Sequence, residues 1–180
     1  MIRHLDAKRL NIQALAETAA TLSDSTSLQS MERLAPESIG SNTDNAVNWK
    51  VAAEMRSGAS GQMDVWMHIE ADVALALTCQ RCMAASSTPI AINQWYRFVA
   101  TEEVAIAEDD AAEEDLLVMT PQFDVLNLIE DELLMALPLV PMHEVCTAQP
   151  AFSAGEDDLP DVAAVKPNPF AALAQLKKLK

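Results

Sequence analysis

The residues of this chain best suited to chemistry are two short pairs of sulfur and nitrogen ligands. Cys79 and Cys82 end a CQRC segment, and His143 and Cys146 have the same spacing later in the chain. Two ligands at this spacing face one metal ion when a tight turn brings their side chains together. Three thiols and an imidazole suit tetrahedral Zn²⁺. The spacing therefore predicts a zinc site, provided that the fold brings the two pairs together.

Two other interpretations of these thiols stay open. The first is a redox-active pair, because Arg81 between Cys79 and Cys82 would favour a thiolate. A thioredoxin-like site, however, needs a helix starting at the motif, whereas residues 84–89 (AASSTP) are typical of a turn between antiparallel strands. Zinc is preferred over redox chemistry on this ground. The second is structural: the thiols are the remnant of a site, or simply pack at the end of a strand.

Other enzyme chemistry has little support in the sequence. The three histidines, His4, His68 and His143, are scattered, and no serine lies in a nucleophile elbow. Four glycines are too few for loops that bind phosphate through the backbone. Carboxylates are plentiful, but those of residues 113–115 lie in a charge run without the spacing of a calcium loop. We therefore expect no catalytic residues and no enzyme.

The charge of the chain is unevenly distributed. The net charge is −15, and residues 98–165 hold 17 acidic residues without one Lys or Arg. Such a surface repels nucleic-acid phosphates and favours a basic partner. RNA contact is then expected only through the balanced N-terminal part, through the basic C-terminus or through another protein, and DNA is not expected.

Targeting signals and disulfides are not predicted. No run approaches the roughly 20 apolar residues that a membrane-spanning helix needs, and the first residues do not resemble a signal peptide. The odd number of cysteines, three, argues against a disulfide framework. We expect a soluble, cytoplasmic protein with no membrane partner.

The elements that must position the ligands begin with a helix. Asp6 can cap a helix that runs to about Leu22, followed by a polar break over residues 23–30. Apolar and polar residues then alternate over residues 63–69 and 73–77, which predicts half-buried strands that lead into the CQRC segment.

Further elements flank these strands. Residues 46–56 are expected to form a hairpin with the strand at 63–69, and residues 90–99 to form a third strand. Residues 102–115 contain eight acids and predict a solvated loop, and residues 116–119 a short strand.

The fold class predicted from these elements is α+β. Asp124 is expected to cap a helix whose acidic residues 130–132 face away from the apolar side. The expected architecture is an antiparallel sheet or a small, partly open β-barrel, flanked by helices, with an acidic loop and a C-terminal tail helix.

Residues 1–146 are expected to form this single domain, residues 147–165 an acidic linker, and residues 166–180 a basic amphipathic tail helix. A helix this short is marginal in water, so it either covers the body or docks on a partner. The candidate partner-binding residues of the tail are Lys166, Asn168, Pro169, Phe170, Leu173, Leu176, Lys177, Lys178 and Lys180.

Three blocks of the sequence together resemble the YceD family of large ribosomal RNA subunit accumulation proteins. They are LTCQRC (77–82), EDELLMALPLVPMH (130–143) and KPNPFAAL (166–173), in the same order and approximate spacing as in the family. Leu5-Asp6 and residues 32–34 resemble it more weakly. The resemblance implies a second cysteine pair after the proline-rich helix end, as in family members from other lineages. This chain has His143 and Cys146 in that region.

The resemblance implies a non-enzymatic role in the synthesis, processing or stability of 23S rRNA, and thus in assembly of the large subunit. Implied partners are ribosomal proteins or large-subunit precursor particles, with rRNA contacted indirectly or through the basic tail. The alternative function is a thiol oxidoreductase or a metal-dependent RNA-processing enzyme that uses Cys79 and Cys82.

Overall fold

A five-stranded sheet is the centre of the fold. The computed structural model describes residues 6–40, 45–58 and 61–146. Its strands are β1 (Thr21–Ser27), β2 (Ala46–Ser57), β3 (Met63–Thr78), β4 (Ala85–Val99) and β5 (Asp115–Val118). The helices are α1 (Ile12–Glu17), α2 (Glu102–Glu108) and α3 (Val125–Met135). The predicted linker and tail helix, residues 147–180, lie outside the described residues.

The sheet is open and mixed. Its strand order is β1-β2-β3-β4-β5, so the two outermost strands do not pair with each other and the expected barrel alternative is wrong for the described chain. The first three pairings are antiparallel, as predicted, but β5 lies parallel to β4 with Phe98 opposite Leu117. A parallel neighbour needs a crossover connection. Residues 100–114 supply it, and the broad α+β prediction is confirmed.

The two predicted strand runs are one continuous strand, β3, of 16 residues. Val65, Met67 and Ile69 begin a row of buried side chains that continues along one face to Leu77. The hairpin with β2 is confirmed, and Val51 lies opposite Ile69. Because successive side chains of a strand point to opposite faces, one face of the sheet is buried against the helices and the other faces water.

The N-terminal prediction is wrong in its extent. The helix begins after Asn11, whose side chain accepts from the Ala14 N–H at 3.0 Å, and it ends at Glu17. Ala19 then adopts a positive φ of 47°, which stops helix propagation. Residues 23–27 of the predicted polar break belong to β1, which pairs with β2 along its whole length. Such pairing overrides a low strand propensity.

The acidic segment is more ordered than the predicted loop. Residues 102–108 form α2, and a 3-10 turn follows over residues 109–111. The Thr101 side chain caps α2 by accepting from the Val104 N–H at 3.4 Å. Arg97 of β4 forms ion pairs with Glu108 at 2.7 Å and Glu114 at 2.6 Å. These caps and pairs stabilise regular structure that composition alone does not indicate.

Helix α3 begins where it was predicted, because Asp124 accepts from the Asn127 N–H at 2.9 Å. Ile129 and Leu133 are fully buried against the sheet. The expected polar face is wrong at Glu130, which is buried with 8% of its surface exposed. Among the described residues, no helix is both long and apolar enough to cross a membrane.

Candidate metal centre

The first ligand pair lies on the turn between β3 and β4. Cys79 follows β3 directly, and its N–H donates to the Ala84 carbonyl at 2.9 Å. The Met83 N–H in turn donates to the Cys79 carbonyl at 2.9 Å, and Met83 has a positive φ of 61°. Because β4 begins at Ala85, the turn spans residues 79–84, and the predicted turn at residues 84–89 is wrong in its position. A tight turn places the side chains of Cys79 and Cys82 on the same side.

The second pair lies on residues 138–146, which follow α3 without forming a helix or strand. The Gln80 N–H donates to the Pro141 carbonyl at 2.9 Å, which holds this segment against the β3–β4 turn. His143 Nε2 lies 2.9 Å from the Ala85 carbonyl oxygen. Since a carbonyl only accepts, Nε2 carries the proton and Nδ1 keeps a free lone pair.

All four predicted ligands lie together, and we call Cys79, Cys82, His143 and Cys146 the Cys/His cluster. Their donor atoms all lie within 4.8 Å of one another. The sulfurs of Cys79 and Cys146 are 3.8 Å apart, and the Cys82 sulfur is 3.4 Å from His143 Nδ1. The three cysteines are free thiols.

Two of these distances, 3.8 Å between sulfurs and 3.4 Å between sulfur and nitrogen, are close to the edges of a tetrahedral zinc site. Two sulfurs bound at about 2.3 Å to one tetrahedral ion are about 3.8 Å apart, and a sulfur and an imidazole nitrogen about 3.6 Å. The donor set also fits, because three thiols and a neutral imidazole are ligands of structural zinc. The residues present are therefore able to hold a metal ion.

Arg81 hydrogen-bonds to the second pair instead of only flanking the first. Its Nε donates to the Cys146 sulfur at 3.1 Å, and one terminal nitrogen donates to the carbonyls of His143 at 2.6 Å and Glu144 at 3.4 Å. The sequence predicts that Arg81 favours a thiolate within the CQRC segment. The structure directs its charge at Cys146.

The cluster has the electrostatics of a thiolate site. Burial raises the pKa of Cys79, but backbone N–H groups of His143, Arg81 and Cys82 donate to its sulfur and lower that pKa to about 5. For Cys82, the Ala84 N–H lowers the pKa, while burial and hydrogen bonds with the sulfurs of Cys146 and Cys79 raise it, and the net direction is upward. A thiolate beside an imidazole nitrogen suits the binding of a metal ion.

The surroundings of the motif differ from those of a thioredoxin-like site. No helix starts at Cys79 or Cys82 within the described chain, because β4 follows the turn. Cys79 is fully buried, and its sulfur contacts Cys146. The two strands joined by this turn are antiparallel, as predicted, although residues 85–89 belong to β4 and not to the turn.

The backbone groups that hold the cluster together were not predictable from residue types. The carbonyls of Ala85 and Pro141 orient His143 and the second segment, yet any residue type supplies a carbonyl. An aromatic group on the solvent-facing side of the sheet was also not predicted. There His68 stacks on Trp95 with ring centres 4.3 Å apart, and the Arg56 guanidinium lies 3.8 Å from the Trp95 ring centre. We attribute this group to cross-strand packing.

Comparison with known proteins agrees with the residue blocks. A family model described as "Large ribosomal RNA subunit accumulation protein YceD" matches residues 67–177. A curated protein with that name from Haemophilus influenzae is 36% identical over 107 residues, which are 57% of this chain and 59% of the relative. No solved structure matches the chain. Because the family model matches more than half of the chain, from β3 through the Cys/His cluster and beyond α3, this protein belongs to the YceD family.

Proposed function

We propose that this protein is a non-enzymatic factor that supports the accumulation of 23S rRNA and the assembly of the large ribosomal subunit in the cytoplasm. The observation that carries this proposal is the family match over residues 67–177, which includes the whole Cys/His cluster. The relative is named for accumulation of the large ribosomal RNA subunit. The match covers 59% of the length of this relative. The role of the relative is therefore proposed for this chain.

We further propose that the Cys/His cluster holds one structural Zn²⁺. Four protein ligands complete a tetrahedral shell and leave no open position for a substrate. Bound there, zinc would tie the β3–β4 turn to residues 138–146, which the described hydrogen bonds already hold side by side. The role of the cluster is then to hold the β3–β4 turn and residues 138–146 in one arrangement for binding.

The partner proposed for the acidic region is a basic protein of the large subunit. The part of that region that the structure describes, residues 98–146, has no Lys or Arg, and Glu102, Glu103, Asp109 and Asp110 are exposed. Opposite charge favours the encounter, and salt should weaken it.

Direct rRNA contact is assigned to the tail, through counterion release by its lysines. The residues proposed for it, and for contacts with the precursor particle, are Lys166, Asn168, Pro169, Phe170, Leu173, Leu176, Lys177, Lys178 and Lys180. Binding of isolated RNA that survives deletion of residues 166–180 would contradict this assignment.

Depletion in the organism that encodes the protein tests the main proposal. The ratio of 23S to 16S rRNA should fall, and the tagged protein should sediment with precursors of the large subunit. Re-expression of the full chain should restore the ratio. An unchanged ratio after complete depletion would refute the proposal.

The alternative is a thiol oxidoreductase or a metal-dependent RNA-processing enzyme. The lowered pKa of Cys79 favours it, since a thiolate is the reactive form of cysteine. A Cys79→Ser/Cys82→Ser variant separates the two functions. An enzyme would lose activity while it keeps its stability, whereas a structural zinc site would lose metal and stability together. Full function of this variant would exclude the enzyme.

A further inference from the structure

Large apolar side chains are exposed around the Cys/His cluster. We call this group the apolar rim: Met83, Leu139, Val140, Met142 and Val145. Their exposed fractions are 71%, 100%, 56%, 56% and 81%. The other large hydrophobic residues exposed in the described chain are scattered over the N-terminal segment, β3, α2 and α3.

The ligands themselves bring the apolar rim together. Met83 follows Cys82, and Met142 precedes His143, whose Nδ1 lies 3.4 Å from the Cys82 sulfur. Val145 precedes Cys146, which is hydrogen-bonded to Arg81. Two parts of the chain separated by more than 50 residues therefore expose apolar side chains next to the ligands of one cluster.

Side chains of this size rarely cluster in water without a reason. Clustered exposed apolar residues mark interaction sites, because covering them removes apolar surface from water. The backbone under the rim is already held by the Gln80–Pro141 and His143–Ala85 hydrogen bonds. A surface ordered before binding loses little entropy when a partner docks.

The charges near the apolar rim select the partner. Residues 98–146 contain no Lys or Arg, and exposed Glu144 lies within the rim segment. Arg81 is the one cation of the turn at residues 79–84, and its guanidinium is occupied by Cys146, His143 and Glu144. This surface repels phosphate and suits a partner with apolar and positively charged side chains.

We propose that the apolar rim is the docking surface for an apolar and basic segment of a large-subunit ribosomal protein. This inference rests on the proposed function and names the surface through which it is carried out. The rim supplies apolar contact area, and exposed Glu144 within it supplies attraction to Lys or Arg.

Site-specific photo-crosslinking in cells tests the inference. A photoreactive residue replaces Val145 in the full chain, and the control replaces Met63 of β3, which is 56% exposed and lies outside both the rim and the acidic region. We expect the probe at position 145 to form its main adduct with a basic protein of the large subunit, identified by mass spectrometry, at least ten-fold above the control. A main adduct with RNA, with the chain's own residues 147–180 or with a second copy would overturn the inference, as would equal adducts from both positions.

A rim variant provides the second measurement. Leu139→Ser/Met142→Ser/Val145→Ser should lower the adduct of a photoreactive residue at Val140 at least ten-fold and fail to restore the 23S to 16S ratio. Met63→Ser is the matched control, with the same exposed fraction as Met142, 56%, and should behave as wild type. Thermal unfolding and metal content verify that both variants fold.

The outcomes separate the inference from the proposed function. If depletion lowers the ratio and the rim variant restores it fully, the docking surface is wrong while the proposed function stands. If depletion leaves the ratio unchanged, the proposed function fails whatever the rim contacts.

Discussion

Arg81 donates its Nε–H to the sulfur of Cys146 at 3.1 Å, although 65 positions separate them in the chain. Through this bond and its contacts with the carbonyls of His143 and Glu144, Arg81 joins the β3–β4 turn to the segment after α3. Hydrogen bonds from outside the ligand set orient ligands and tune the affinity of a metal site.

Replacing Arg81 should weaken zinc binding without removing a ligand. For Arg81→Gln we expect about 10-fold to 100-fold lower affinity, measured by competition with a chromogenic chelator. Arg56→Gln, which changes an arginine on the solvent-facing side of the sheet, is the control and should keep wild-type affinity. Equal affinities of the Arg81 variant and wild type would show that this hydrogen bond does not support the site.

Loss of the nitrogen ligand should reduce the metal content. Purified wild type should carry one zinc per chain, and His143→Ala should carry substantially less, because three thiolates leave the tetrahedral shell incomplete. His68→Ala removes a histidine from the sheet surface and should leave the zinc content unchanged. The measurement is elemental analysis after gel filtration. The wild type is purified under reducing conditions, incubated with zinc and passed through gel filtration. If it then carries no zinc, the prediction is contradicted.

The metal-free protein should keep a thiolate at Cys79 down to unusually low pH. The pKa of this thiol is lowered from 9.0 to about 5 because, against the effect of burial, three backbone N–H groups donate to the sulfur. After removal of metal, the thiolate absorbance at 240 nm should therefore fall as the pH drops through about 5. Cys79→Ser should lack this step. A wild-type titration without any change near this pH would refute the assignment.

The sign of the linked stability change follows from the same pKa. Between pH 9 and pH 5 the unfolded chain binds a proton at Cys79 that the folded metal-free protein does not. The contribution of this thiolate to the free energy of unfolding is therefore complete above pH 9 and is lost as the pH falls through about 5. Urea unfolding at several pH values, compared between wild type and Cys79→Ser, measures it.

Glu130 should be far more important for stability than its neighbour on α3. Its carboxylate is buried and accepts from the Arg33 N–H at 2.6 Å and the Leu34 N–H at 3.0 Å. Glu130→Ala leaves both N–H groups unpaired, and we expect a loss of about 3 kcal/mol in the free energy of unfolding. Asp131→Ala removes an exposed ion pair with Arg33 and should cost about 1 kcal/mol or less. Equal losses in urea unfolding would contradict this account.

Local patterns in the sequence predicted several elements of the fold. Alternation along β3 and the Asp124 cap of α3 predicted elements that the structure contains, because side-chain period and capping depend on neighbouring residues. The same local logic was wrong for α2, whose acids suggested a loop. Arg97 pairs with Glu108 and Glu114 there, and a propensity estimate does not include partners from another strand.

By itself, the sequence determined which residues are able to bind a metal and that β3 has one buried face, since both depend on residue type and short spacing. Tertiary structure decided that His143 and Cys146 reach Cys79 and Cys82, that β5 lies parallel to β4, and that Glu130 is buried. Each of these outcomes depends on backbone hydrogen bonds and packing between distant segments, such as the bond from Gln80 to Pro141. A backbone carbonyl is identical in every residue, so the sequence carries no local signal for such a contact.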